Sequence, residues 1–297
     1  MISKNELVAD LKSMGVELGD ILNIKASLKS VGPIDGGAQT LLDAILEAVG
    51  PEGTIVVDSF VSVYSPFSFS YWQKIVSQET SSYAGALANL VIQYPGSFRS
   101  THPIQKFSVI GKYAERLTRN HTPEAYAYGV LREITDLGGK NLKIGSDEKV
   151  PGVGTTHVAI GIAKIRQRRP RLGVRYMRGS KVQHYFINWS GGCMRSFYQL
   201  NKYYDNHHGG VIKRGFVGKA PSKITSMNKT LNIELDLIKK DRNSFLKCGH
   251  DDCIVCRFSW ENGEEGFIKY AALCLRAGKL ILALKAFRQR YIYRYLF

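Results

Sequence analysis

Residues 24–60, IKASLKSVGPIDGGAQTLLDAILEAVGPEGTIVVDSF, decide how this chain is read. A short apolar run over residues 21–25 predicts a strand. The Gly-rich turn VGPIDGGA follows, then a helix over residues 39–49 and a second strand over residues 54–58. Glycines next to a helix start leave backbone N–H groups free, a position that favours anions. Outward from this block, residues 6–14 read as an amphipathic helix and residues 140–144 as another short strand. Alternating helix and strand signals define an α/β class.

The second informative stretch is YPGSFRSTHPIQKFSVIGKYAERLTRNH, residues 94–121. Pro95 and Gly96 mark a turn, and Arg99 and Ser100 are candidate donors to an anion. His102 precedes Pro103, which biases it to extended backbone. Residues 80–93 predict a helix with Thr80 or Ser81 as N-cap, ending at Pro95. FSVIGKYAERL after it has helical periodicity. The plain alternative for this region is a polar loop whose His102 and His121 are ordinary hydrogen-bonded histidines.

These two blocks and a third, KNLKIGSDEKVPGVGTTHVAIGIAK, resemble in the correct order the aminoglycoside 3-N-acetyltransferase family. The first is similar to its H-x-S-L-x-S-x-G-x-x-G-G-A segment, the second to its R-S-x-H-P segment, and the third to a strand and Thr-rich turn ending in a catalytic His. The resemblance covers roughly residues 7–164, and beyond it only GFVGKAPSKI is similar to a late Gly-rich turn. It implies a single elaborated α/β domain, residues 1–274, with a central mixed sheet flanked by helices. The activity implied is acetyl transfer from acetyl-CoA to an amine.

By that resemblance His157 is the general base, with His102 as the next candidate. Coenzyme A contacts are expected along Ser27, Leu28, Lys29, Ser30, Val31 and Gly32, with Arg99 and Ser100 walling the same cleft. Thr155 and Thr156 would bond the thioester or position His157. Two departures stand out: Lys25 occupies the place of the family's first His, and Ile160 the place of the Glu that orients the catalytic His. Loss of such a partner deprives a histidine of tautomer control. Asp147 and Glu148 are the nearest acids in sequence to substitute for it.

Composition sets further bounds. With 297 residues and 44% hydrophobic content the chain can bury a large core. No apolar run reaches membrane-spanning length and the N-terminus does not read as a signal peptide, so a cytoplasmic location is expected. Five cysteines without secretory context argue for thiols or a metal. Cys248, Cys253 and Cys256 in CGHDDCIVC are candidate ligands for a structural zinc, completed by a histidine.

The formal charge of +16 concentrates in residues 164–181 and 275–297. The second reads as a cationic amphipathic helix suited to an anionic membrane surface. No nucleic-acid motif accompanies the charge. From charge, the expected acceptor is an anionic amino sugar, nucleotide- or lipid-linked, in polysaccharide assembly. The alternatives are an aminoglycoside antibiotic, or a homologue without catalysis that binds membrane or nucleic acid.

Overall fold

The computed structural model describes residues 1–145, 153–165, 172–188, 194–207, 210–241 and 246–250, with isolated positions between 256 and 284. The first half runs α1 (Lys4–Ser13), β1 (Ile21–Ala26), α2 (Leu28–Val31), α3 (Gly37–Val49), β2 (Thr54–Asp58), α4 (Phe69–Gln73), β3 (Ile75–Val76), α5 (Ala86–Gln93), β4 (Phe98–Arg99), β5 (Phe107–Gly111) and α6 (Ala114–Arg119). There follow α7 (Gly129–Asp136), β6 (Lys140–Ile144), α8 (Thr155–Ile162), β7 (Gly173–Arg178), β8 (Lys181–Phe186), α9 (Met194–Tyr198), α10 (Leu200–Asp205), β9 (Ile212–Val217), β10 (Ala220–Ser226) and α11 (Met227–Lys240).

Seven strands form the main sheet in the order β4-β5-β2-β1-β6-β10-β9. The middle three are parallel, and β5 and β10 join them antiparallel, so the sheet is mixed. β3, β7 and β8 form a small second sheet. Period-two alternation sends neighbouring residues to opposite faces. Leu22, Ile24, Ile55 and Val57 pack under α1, α3 and α5, while Ile21, Val56 and Val109 pack under α6, α7, α8 and α11. Both faces of the parallel strands are therefore covered, which is why β2 reads as a near-continuous apolar run, while β1 and β6 also bury Asn23, Asn141 and Lys143.

α1 starts with a complete capping box between Ser3 and Glu6, a local signal that fixes its entry. Gly111 closes β5 at φ +110°, and a Cβ there would sit 2.2 Å from the Gly53 carbonyl oxygen, so only glycine fits.

Three sequence expectations are corrected. FSVIG is strand β5 rather than the start of a helix. It is hydrogen-bonded on both sides, to β2 and β4, and only α6 beyond it is helical. The helix expected over residues 80–93 begins at Ala86, because the Asn89 side chain caps the Ser82 backbone and holds the preceding residues as a loop. NKTLNIELDLIKKDRNSFL, residues 228–246, reads in the sequence as a strand followed by a short helix, whereas Met227–Lys240 form the single helix α11. Its buried positions Met227, Thr230, Leu231 and Glu234 follow the 3.6 period. The Arg-rich stretch around Pro170 reads in the sequence as a β-hairpin or an exposed loop; Pro170 lies outside the described residues, and β7 and β8 just after it form a hairpin. The C-terminal amphipathic helix expected over residues 275–297 falls almost entirely outside the described residues.

Candidate active site

The carboxyl ends of parallel strands are where open α/β sheets bind ligands. Here β1 and β2 end at a cavity of about 370 Å³ lined by Lys25, Ser27, Asp58, Phe60, Tyr83, Leu87 and Ile144, among others. Lys25 Nζ lies 3.2 Å from Asp58 Oδ2, and the other carboxylate oxygen, Oδ1, is buried with no hydrogen-bond partner among the described residues. Asp58 is the acidic residue of this lining. It leaves an unused acceptor beside the cavity.

Ser27 leaves β1 by donating its backbone N–H to the Ile144 carbonyl at the end of β6. The chain then makes the single turn of α2, in which Ser30 Oγ donates to Ser27 Oγ at 2.9 Å. Gly32 adopts φ +95°, and the Lys219 stem packs where its Cβ would be. Of the expected coenzyme A run, Ser27 reaches the cavity, Lys29 is exposed beside it and Val31 is buried in the core.

His157 is the third residue of α8. Its ring stacks face to face on Tyr128 at 4.1 Å and meets the edge of Phe197 at 5.9 Å. Burial, then the field of the Lys25 ammonium, push its pKa down to about 3. The ring is thus neutral and close to Lys25, though it is not itself part of the cavity lining. Ile160, at the place of the family's Glu, is buried in an apolar cluster with Phe197, Leu200 and Tyr204. No carboxylate can be carried there without breaking that packing. Asp147 and Glu148 lie outside the described residues.

Thr155 and Thr156 do not face the cavity. Thr155 Oγ1 is 3.0 Å from Thr230 Oγ1, and Thr156 donates to Glu234 Oε1 at 2.8 Å. Tyr204 donates to the same oxygen at 2.6 Å. Glu234 is fully buried, and burial raises its pKa to about 7. This carboxyl locks α8, α10 and α11 together directly behind His157, and nothing in the sequence reading pointed to it.

The second stretch plays a different part from the one expected. His102 is fully buried: its Nδ1 accepts from the backbone N–H of Ile104 and Gln105, leaving Nε2 to donate to Tyr185 Oη at 3.1 Å. It stacks on His121 at 4.9 Å. Ser100 Oγ accepts from Phe107 N and bonds His121 Nδ1. Arg99 donates to the carbonyls of Gln78, Thr80 and Ser59. These groups fasten loops around the cleft, and their polar atoms are already engaged inside the protein. Ser100 and His102 are buried and Arg99 is half-buried, and none of the three lines the cavity at the strand ends.

Cys248 and Cys256 are buried, with the Cys248 backbone N–H donating to Cys256 Sγ at 3.2 Å. Cys253 lies outside the described residues, and among the described residues no three ligands cluster to hold a metal ion. Likewise, no helix among the described residues is long and apolar enough to cross a membrane.

A two-faced mixed sheet with a cleft at the ends of its parallel strands defines an α/β fold of the open-sheet class. The model of the aminoglycoside 3-N-acetyltransferase family matches residues 24–239, and the chain belongs to that family. Aminoglycoside N(3)-acetyltransferase III of Salmonella sp is 30% identical over 195 residues, 57% of this chain and 64% of that protein. Aminoglycoside N(3)-acetyltransferase IX of Micromonospora chalcea is 25% identical over 185 residues, 57% and 65% respectively. The chain thus spans just under two thirds of the length of these relatives. Among solved structures, AAC-VIa bound to sisomicin is similar with TM-score 0.68 and 26% identity over 80% of this chain and 97% of that one. The aminoglycoside acetyltransferase AAC(3)-IVa in complex with a gentamicin reaches TM-score 0.72 at 23% identity, covering 86% and 95%.

Proposed function

We propose that this protein transfers an acetyl group from acetyl-CoA to an amine of an aminoglycoside-type amino sugar. The observation that carries the reading is the Lys25–Asp58 pair on the cavity wall at the carboxyl ends of β1 and β2, with the His157 ring within the field of the Lys25 charge. Family membership supports the chemistry, and a solved relative of the same fold, AAC-IIIb, is a binary complex with CoASH.

The cavity suits the thin thioester-bearing arm, with Ser27 at its wall and Lys29 and Lys219 outside it for the phosphates. The unused Oδ1 of Asp58 receives the acceptor's ammonium group. An amine attacks only when neutral, so a proton must leave. Burial, then the Lys25 charge, hold His157 neutral and make it a weak base. Negative charge developing on the thioester oxygen beside Lys25 offsets the second of these effects as the proton arrives, and the proton then passes to the departing thiolate of coenzyme A.

The chain's overall charge pointed to an anionic acceptor in polysaccharide assembly. The sisomicin- and gentamicin-bound relatives favour an aminoglycoside instead, and Asp58, ion-paired through one oxygen to Lys25, still offers the other to an ammonium group. The test is thiol release from acetyl-CoA with a panel of aminoglycosides and nucleotide-linked amino sugars. Turnover with aminoglycosides alone is expected. Turnover only with the nucleotide sugars would reverse the assignment, and no thiol release with any acceptor would remove the catalytic reading.

A further inference from the structure

A second cavity, of about 400 Å³, lies apart from the one at the strand ends. It is walled by the loop around Gln78 and Glu79, by Thr101 and Pro103, and by Tyr176 and Met177 of β7. Lys106 forms part of its lining and is only 3% exposed. A buried lysine is normally matched by a carboxylate. Lys106 is not: Nζ donates to two neutral acceptors, Gln78 Oε1 and the Ser100 carbonyl, each at 3.3 Å.

Its charged neighbour is a second cation. Arg99 donates to the backbone carbonyl of the same Gln78 and otherwise to Thr80 and Ser59, so its own hydrogen bonds are also to neutral groups. Glu79, exposed on the same cavity wall, is the carboxylate that acts on both. Two cations thus converge on one glutamine with no buried countercharge among the described residues.

We infer that the Lys106 amine is a carbamylation site that takes carbon dioxide. The amine lone pair attacks the carbon of CO₂, an N–C bond forms, one C=O π bond becomes a carboxylate, and the amine proton leaves to solvent. The reactant is small and uncharged, which suits an amine that is almost wholly buried. The product turns a repulsive pair into an attractive one, since a carbamate anion then stands beside the Arg99 guanidinium. The Gln78 side-chain amide, now an acceptor, can rotate to donate N–H to it.

Burial, then Arg99, lowers the Lys106 pKa to about 7, so the reactive neutral form is abundant near neutrality. An exposed lysine with an ordinary pKa is neutral about several hundredfold less often at pH 7.5.

The experiment equilibrates the intact protein with ¹³C-bicarbonate at pH 7.5, traps carbamates with triethyloxonium ion and maps the modified peptides by mass spectrometry. Label on the peptide containing Lys106, at least about a hundredfold above exposed Lys29, Lys74 and Lys239, is expected. Label equal among all lysines, or absent from Lys106, overturns the inference. The ¹³C carbamate resonance of the untreated protein gives a second reading. It should vanish in a folded Lys106→Met variant, and persistence there counts against the site. Neither measurement depends on acetyl transfer, so the site stands or falls apart from the proposed function.

Discussion

Replacing Glu234 by Gln isolates the effect of one buried charge. The carboxyl is fully buried, accepts from Thr156 and Tyr204 through one oxygen, and has no partner for the other among the described residues. Its pKa rises from 4.5 to about 7 in the fold. The native state therefore holds a proton that the unfolded chain has released between those values. Stability must fall as pH rises through that window and level off above about 7. A shift of this size corresponds to a loss on the order of 3 kcal/mol. Gln keeps the shape and an acceptor oxygen but cannot ionise. The expected outcome is that Glu234→Gln gains on the parent protein by up to about 3 kcal/mol between pH 5 and pH 8, less about 1 kcal/mol for weakened hydrogen bonds. Urea unfolding at several pH values measures it. Parallel stability curves for the two proteins would falsify the assignment of a protonated Glu234 at the back of α8.

His157→Ala should lower acetyl transfer by roughly a hundred- to ten-thousandfold with the fold retained, measured as thiol release alongside circular dichroism; near-normal turnover moves the base elsewhere. Because His157 titrates near pH 3, the parent enzyme should show no acid limb near pH 6.5 from this ring, and the limb seen in kcat/KM should track the acceptor amine instead. A break that disappears in the His157 variant would contradict this. Lys25→Met leaves Asp58 without its ion-pair partner, at a cost of about 1–2 kcal/mol because Lys25 is partly exposed, and lets the His157 pKa climb in an NMR titration. Gly111→Ala should destabilise by more than about 2 kcal/mol, since the new Cβ meets the Gly53 carbonyl, whereas Gly85→Ala, at positive φ in open space, should cost about 1 kcal/mol. Equal melting temperatures for these two variants would show that the close approach is not what demands glycine.

The parallel strands were legible because β1 and β2 bury apolar side chains on both faces and turn signals bound them, and β2 and β6 coincide with the strands expected from the sequence. β5 was not legible: Phe107, Ser108, Val109 and Ile110 are buried one after another with no period-two alternation, and such a run does not separate a central strand from a buried helix. α11 misled in the opposite sense. Leu231, Ile233, Leu235 and Leu237 alternate like a strand, while the pattern that places Glu234 in line with Met227 and Leu231 emerges only on a helical wheel. The same misreading hid the site's buried acid. An acid on an apolar helical stripe is a visible anomaly, but only once the stripe has been drawn. His157 was found through the family's motif. The interior bonding of Arg99, Ser100 and His102 could not be, because a sequence shows which groups can bond an anion and not whether the fold has already used them.

The strand order also governs how the chain must be made. β1 receives one neighbour from β2 about thirty residues later but the other from β6, more than a hundred residues downstream, and the outer edge of β6 is covered only by β10. A nascent chain that has released the first five strands still presents the bare side of β1, and one halted before β10 presents β6. Exposed edges of this kind pair with other chains, and such distant pairing is slow to form. Growing polypeptides of this protein are thus vulnerable to self-association until the last hairpin emerges. Fragments ending before residue 220 should accumulate as aggregates rather than as a smaller folded unit.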